Sequence, residues 1–427
     1  MRAKKLVFAC VLALTSISNV GYAQEFSRWF QDKTLRLDYT FSGNNKSQQI
    51  YLDEMKVSDG WYGRRVNMDS LLLQGNGQIT VTDTMGHQVL YRYSFSTLFQ
   101  EWQSTREASL VQKSFENVFL VPMPRCPVDI TVTLTDTHRQ VKSQMTHRVN
   151  PQDILISPMA CGQKWEYLLQ SGSSKERIDV AFVAEGYRED EMPTFRKDCL
   201  ESIDAMLAHE PFHSMKDRFN FIAVYSPSEE SGVSIPHDGV WRRTATRSHF
   251  DTFYSDRYLT TLHIKQLHDL LAGIPYEHIV ILANTNNYGG GGIYNSYLLS
   301  AAHHPSCRPV VVHEFGHSFA GLGDEYYYDD QYETMYPSDT EPWEPNLTTL
   351  VDFQSKWADM VPRKAKIPTK PSGKNLYTEV GVYEGGGYQS KGVYRPSQEC
   401  RMKINEAPEF CPVCQRAIAR MIDYQTR

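Results

Sequence analysis

The stretch 309-PVVVHEFGHSFAGLGDEYYYDD-330 sets two histidines four residues apart, with a glutamate directly after the first and an acidic pair beyond two glycines. Pro309 suits the first turn of a helix. Val310, Val311, Val312, Phe315, Phe319 and Leu322 make most of that helix apolar, so it is expected to be buried. His313 and His317 then lie one turn apart on one face. Two imidazoles at that spacing can grip one Zn²⁺, and Glu314 beside them can take a proton from an attacking water. Buried histidine and glutamate in so apolar a helix are costly unless something satisfies them, and a metal does so.

A third ligand must come from beyond the helix. The extended pattern is H-E-x-x-H-x-x-x-G-x-x-D, ending at Asp324. Metzincin peptidases use H-E-x-x-H-x-x-G-x-x-H, or an aspartate in the last place, so this chain has one extra residue before the glycine. In a continuous helix Asp324 would lie about 10 Å along the axis from His317. Gly321 and Gly323 both allow the break that brings an acid back. Asp324 is the favoured ligand and Glu325 its competitor. Asp329, Asp330 and Glu333 continue the acidic run, but their spacing matches no calcium loop.

Upstream, 288-YGGGGIYNSYLLSAAHH-304 suggests a glycine-rich loop entering an edge strand near the site, where backbone can pair with extended substrate. His303 and His304 are expected at the surface or behind the ligands. Downstream, 399-ECRMKINEAPEFCPVC-414 places Met402 in a turn-like stretch, where it can form an apolar floor beneath a metal. Cys400, Cys411 and Cys414 allow two outcomes: a second zinc site, or a disulfide from Cys400 to Cys411 or Cys414. The second is favoured if the chain is exported. Tyr326, Tyr388 and Tyr394 are candidate donors to a developing oxyanion.

The rest of the chain frames this centre. At 427 residues it is too long for one ordinary core. The first residues, MRAKKLVFACVLALTSISNVGYAQ, combine a basic start, an apolar run from Leu6 to Leu14 and a small-residue end at Ala23. This predicts a signal peptide over 1–23, and hence a periplasmic, cell-surface or secreted protein. The run is too short to span a bilayer, and no later segment predicts a span. Residues 24–155 carry strand-like runs such as LRLDYTF, QITVTDT, QVLYRYSF and ITVTLTDT, separated by turn clusters. They predict an all-β sandwich acting as an accessory domain. From 156 to 427 buried strands (RIDVAFVA, FNFIAVYS, EHIVILAN) alternate with helical spacing at 189–212 and 257–272, predicting a mixed sheet-and-helix domain. The formal charge of −6 without a basic block argues against nucleic acid as a partner.

Four pieces together, VAFVAEGY (180–187), VILANTNNYGGGG (280–292), RPVVVHEFGHSFAGLGDEY (308–326) and GVYRPSQECRMK (392–403), resemble the M64 peptidases, whose members include bacterial IgA-cleaving metallopeptidases. At 184–187 the chain reads AEGY where a GDGY-like pattern is expected of that family. The resemblance implies a zinc-dependent endopeptidase with a metzincin-like core, preceded by a β-rich accessory domain. It implies zinc on His313, His317 and Asp324, Glu314 as general base, Met402 as the methionine of the turn, and protein or peptide as substrate. A binding protein on a degenerate peptidase scaffold, or an amidase acting on cell-wall peptide, are the alternatives. The intact Glu314 argues against the first of these.

Overall fold

The computed structural model describes residues 25–160, 162–329 and 335–427. The expected signal peptide lies outside the described residues, as do Asp330 and Glu333.

The first part of the chain is β-structure. One sheet has the order β5-β1-β2-β8, from Lys113–Pro124, Phe30–Gly43, Gln48–Asp59 and Ser157–Pro158. The other has the order β4-β3-β6-β7, from Val89–Phe95, Gly77–Asp83, Val128–Thr135 and Val141–Val149. Strands β3 and β6 alternate buried and half-buried residues, the pattern of a sheet with one face on a core. The two sheets meet through aromatic side chains. Phe95 packs on Phe119 with ring centroids 4.2 Å apart, and Phe41 stacks on both. A short helix, α1 (Leu98–Trp102), follows β4 and is capped by Thr97.

The second part is built on a six-stranded sheet, β13-β14-β12-β10-β11-β9. Its members are β9 (Lys164–Gln170), β10 (Ile178–Glu185), β11 (Phe219–Tyr225), β12 (His278–Ala283), β13 (Gly290–Ile293) and β14 (Tyr297–Ala301). The central strands β14, β12, β10 and β11 are parallel, and both edge strands are antiparallel. Parallel strands need both faces covered, and β10 and β12 are buried at every residue. Val180, Phe182, Phe221, Val280 and Leu282 face the helices α2 (Met192–Leu207), α4 (Cys307–Ala320) and α5 (Pro412–Thr426). Ala181, Val183, Ile222, Val224 and Ile281 face the other way, into one core shared with the β-sandwich and with the segment holding Phe250, Leu259 and Leu267. The β-rich part therefore covers a face of this sheet.

The helix expected over 257–272 is shorter. Only α3 (Ile264–Leu270) is helical. Thr260 instead bridges to His249, and the Thr261 N–H donates to the Tyr297 hydroxyl at 3.1 Å. These tertiary hydrogen bonds hold two β-branched threonines outside the helix. Last come β15 (Tyr327–Tyr328), β16 (Tyr383–Gly386) and β17 (Tyr388–Arg395), a small sheet in the order β15-β17-β16 beside the end of α4.

Candidate active site

Helix α4 carries His313, Glu314 and His317 as its spacing predicts, with Val311, Val312, Phe315 and Phe319 buried. It ends at Gly321, which adopts the left-handed conformation at φ 60° and donates to the His317 carbonyl at 3.0 Å. A side chain there would also meet the Trp343 ring at 2.6 Å. Gly323, the other glycine that allows the break, contributes by close approach and not by a left-handed φ. It is absent from the left-handed glycines, and a Cβ on it would meet Leu347 at 2.5 Å. The Asn346 side chain clamps it, accepting from Gly323 N–H at 2.7 Å and donating to Gly323 C=O at 2.9 Å.

This turn brings Asp324, not Glu325, to the histidines. His313 Nε2 and His317 Nε2 are 3.0 Å apart, and Asp324 Oδ1 is 3.1 and 3.2 Å from them. Each imidazole is oriented from behind. His313 Nδ1 donates to the Arg401 carbonyl at 3.0 Å, and His317 Nδ1 donates to the Leu322 carbonyl at 2.5 Å. A neutral imidazole with Nδ1 protonated presents a lone pair at Nε2. The two Nε2 atoms and a carboxylate oxygen therefore face one point, an arrangement that calls for a cation there, whether a metal or a proton on His317. Tetrahedral bonds of about 2.0–2.1 Å would separate such donors by roughly 3.3 Å, so the spacing fits a divalent ion such as Zn²⁺. Burial works against charge on these groups. For Asp324 the two imidazoles outweigh it and hold the carboxyl well below its usual range. For His317 the Asp324 carboxylate outweighs burial and lifts the imidazole to about 9. Such positive charge as the site attracts therefore gathers at the point where the three donors meet.

The other expected residues divide. Glu314 lies against the edge strand β13, its carboxylate facing Gly290 and Gly292, and burial raises its pKa. Met402 is fully buried in a tight turn closed by Lys403 N–H to Cys400 C=O, with its sulfur beneath Gly316 on the histidine helix. The Tyr388 hydroxyl donates to Asp324 Oδ2, leaving Oδ1 for the histidines. The Tyr326 hydroxyl lies 3.5 Å from that of Tyr388 and its ring stacks over His313. Tyr394 is a correction. It pairs across the small sheet with Glu384 and bridges Thr348, outside the cleft. His303 is bonded to Asp198 at 2.8 Å and His304 packs on Tyr288, so neither joins the cluster. Glu185 of AEGY is also buried away from it, accepting from Thr244, Thr246 and Ser248 and tying that loop to β10. The expected disulfide is absent: Cys400, Cys411 and Cys414 are free thiols.

The cluster opens into a cleft of about 670 Å³. Sequence reasoning missed part of its wall. The β-rich part supplies Thr97, Gln100 and Glu101 from the start of α1, facing Tyr258 and β13. Burial pushes the Glu101 carboxyl up to about 7, against a 2.7 Å hydrogen bond from the Tyr258 hydroxyl. More than two hundred residues separate Glu101 from His313, and no local motif marks it. Asn346 was equally silent.

No curated protein matches the chain. A family model described as IgA Peptidase M64 matches residues 167–379 and 372–422, spanning both histidines, Asp324 and the Met402 turn. A second, Peptidase M64 N-terminus, matches residues 25–146, the β-rich part that walls the cleft. With most of its length and all of the converging donors inside these matches, the chain belongs to the M64 peptidase family.

Proposed function

We propose that this protein is an exported zinc-dependent endopeptidase with a metzincin-like catalytic core, acting on extracellular protein or peptide. The observation that carries the reading is the convergence of His313, His317 and Asp324 on one point, with the Glu314 carboxylate beside them against a cleft-lining edge strand. Zn²⁺ held there supplies Lewis acidity that activates water and polarises a peptide carbonyl. Glu314 takes the proton from the attacking water and delivers it to the leaving amine. Its raised pKa suits a group that must both accept and return a proton. Tyr388 fixes the Asp324 carboxylate in a one-oxygen orientation, and Tyr326, facing the cleft, donates to the developing oxyanion. Strand β13 pairs with extended substrate beyond the bridge that Tyr258 makes to Gly290. The buried Met402 turn beneath Gly316 supports the metzincin-like assignment. Among the described residues no helix is long and apolar enough to cross a membrane.

The test uses the zinc-loaded protein and its Glu314→Gln variant on a peptide library, with cleavage sites read by mass spectrometry. The wild type should cut within peptides. The variant should keep its metal and lose hydrolysis, by on the order of 10²–10⁴-fold for the loss of general acid–base catalysis alone. Full activity in Glu314→Gln would overturn the mechanism. Cleavage confined to cell-wall peptide would move the substrate class to an amidase.

A further inference from the structure

Glu325 turns away from the cleft and is fully buried. Its carboxylate and the thiols of Cys400, Cys411 and Cys414, also fully buried, place four ligand atoms within 4.8 Å of one another. The Cys400 and Cys414 sulfurs are 3.8 Å apart, and Cys414 Sγ is 3.2 Å from Glu325 Oε1. A disulfide requires about 2.05 Å. Four donors around a tetrahedral ion, with metal–sulfur bonds of about 2.3 Å, put two sulfurs roughly 3.8 Å apart and a sulfur and an oxygen roughly 3.5 Å apart. Asn346 donates to Glu325 Oε1 at 2.9 Å, but the other carboxylate oxygen is buried with no hydrogen-bond partner among the described residues. A buried carboxylate oxygen left this way is costly.

We propose that Glu325, Cys400, Cys411 and Cys414 hold a second, structural Zn²⁺, separate from the ion of the cleft. The donor set is closed, four protein ligands with no access to the cleft, as structural sites are. On binding, each thiol gives its proton to solvent and the thiolates coordinate the ion. Three thiolates and a carboxylate leave the site negative, and two features offset this. Cys411 caps and Cys414 lies in the first turn of α5, whose positive end favours thiolate. Arg395 is near enough to act on Glu325 electrostatically. The ligands come from three places that matter to the cleft: the residue after Asp324, the turn that carries Met402, and the start of the C-terminal helix. The ion clips these together, where the Glu325 N–H already bonds the Met402 carbonyl at 2.8 Å. Glu325 is thus a metal ligand, but not of the metal that its neighbour Asp324 serves.

The experiment loads the whole protein with Co²⁺ in place of zinc and reads its absorption. The cleft donors contain no sulfur, so a sulfur-to-cobalt charge-transfer band in the near ultraviolet reports only the second site, whatever the state of hydrolytic activity. The band is expected in the wild type and in His313→Ala/His317→Ala, together with two zinc ions per chain in the wild type by elemental analysis and one in that double variant. Cys414→Ser should lose the band. If that variant does not fold, alkylation of the native wild type substitutes: the three cysteines should resist until a chelator is added. Absence of the band in folded wild-type protein would overturn the proposal. A mass lowered by two hydrogens, mapped to a disulfide between any two of the three, would do so equally.

Discussion

Gly292 is the residue on which strand β13 rests against helix α4, and Gly292→Ala tests how far the site depends on that approach. A Cβ at this position would lie 2.5 Å from the Glu314 carbonyl oxygen, and 3.0 Å from both Glu314 Oε2 and His317 Cβ. Comfortable contact begins at roughly 3.5 Å, so strand and helix must separate by about 1 Å. The nearest obstacle is helix backbone, which cannot rotate aside. Overpacking of this kind costs about 1–3 kcal/mol of stability. Displacing catalytic groups by about 1 Å costs on the order of 10²-fold in rate. Gly162→Ala, where a Cβ meets nothing within 4 Å, is the control. The measurements are the denaturant midpoint and kcat/KM on a peptide cut by the wild type, at equal metal content. A Gly292→Ala protein with unchanged midpoint and unchanged kcat/KM would refute the claim that this glycine sets a working distance between strand β13 and Glu314.

Four further outcomes are expected, three at the site and one in the central sheet. Asp324→Asn should lower the affinity of the cleft metal sharply, and Tyr388→Phe should lower it on the order of 10–100-fold by freeing the ligand carboxylate, both read by competition with a chelator; unchanged affinity in Tyr388→Phe would detach that hydroxyl from metal binding. Gly321→Ala should destabilise the protein by about 1–3 kcal/mol, since it combines a left-handed φ with an approach to Trp343; a neutral effect on the thermal midpoint would mean the chain reverses without it. Burial raises the Asp179 carboxyl to about 6, against a 2.8 Å hydrogen bond from Asn220. The folded state therefore holds this proton more tightly than the unfolded chain. Its contribution is fully present below about pH 4 and is lost as pH rises through about 6, at most about 3 kcal/mol. Asp179→Asn should flatten that fall in stability, and an unchanged pH profile would show that Asp179 does not cause it.

Much of the site was legible locally. Two histidines at helical spacing in an apolar run require a buried helix with both imidazoles on one face, and no tertiary information is needed for that. The glycines after the helix announced a break, and the family-like pieces placed Met402 beside it. The strands of the central sheet were legible as continuous apolar runs, because a strand covered on both faces has no polar side to show. Where the reading went astray, long-range contacts had overruled local preference. Thr260 and Thr261 fit a helical pattern, yet hydrogen bonds to His249 and Tyr297 hold them extended. Tyr394 carries the same hydroxyl as Tyr326, but strand pairing turns it from the cleft.

What the sequence determined by itself is the buried helix that carries both histidines on one face, because the spacing of His313, Glu314 and His317 and the burial of their neighbours are properties of one short segment. Which acid completes the cluster was decided only by the fold. Asp324 and Glu325 are adjacent and equally charged, and no local rule separates them. Gly321 reverses the chain, Asn346 clamps Gly323, and Tyr388 takes one oxygen of Asp324, so that aspartate faces the histidines. One residue on, the chain points to the opposite side, and Glu325 meets three cysteines from 75 or more positions away. The cleft wall built from Glu101 has the same origin. Contacts across so many residues depend on how whole sheets pack, which no stretch of the chain encodes alone.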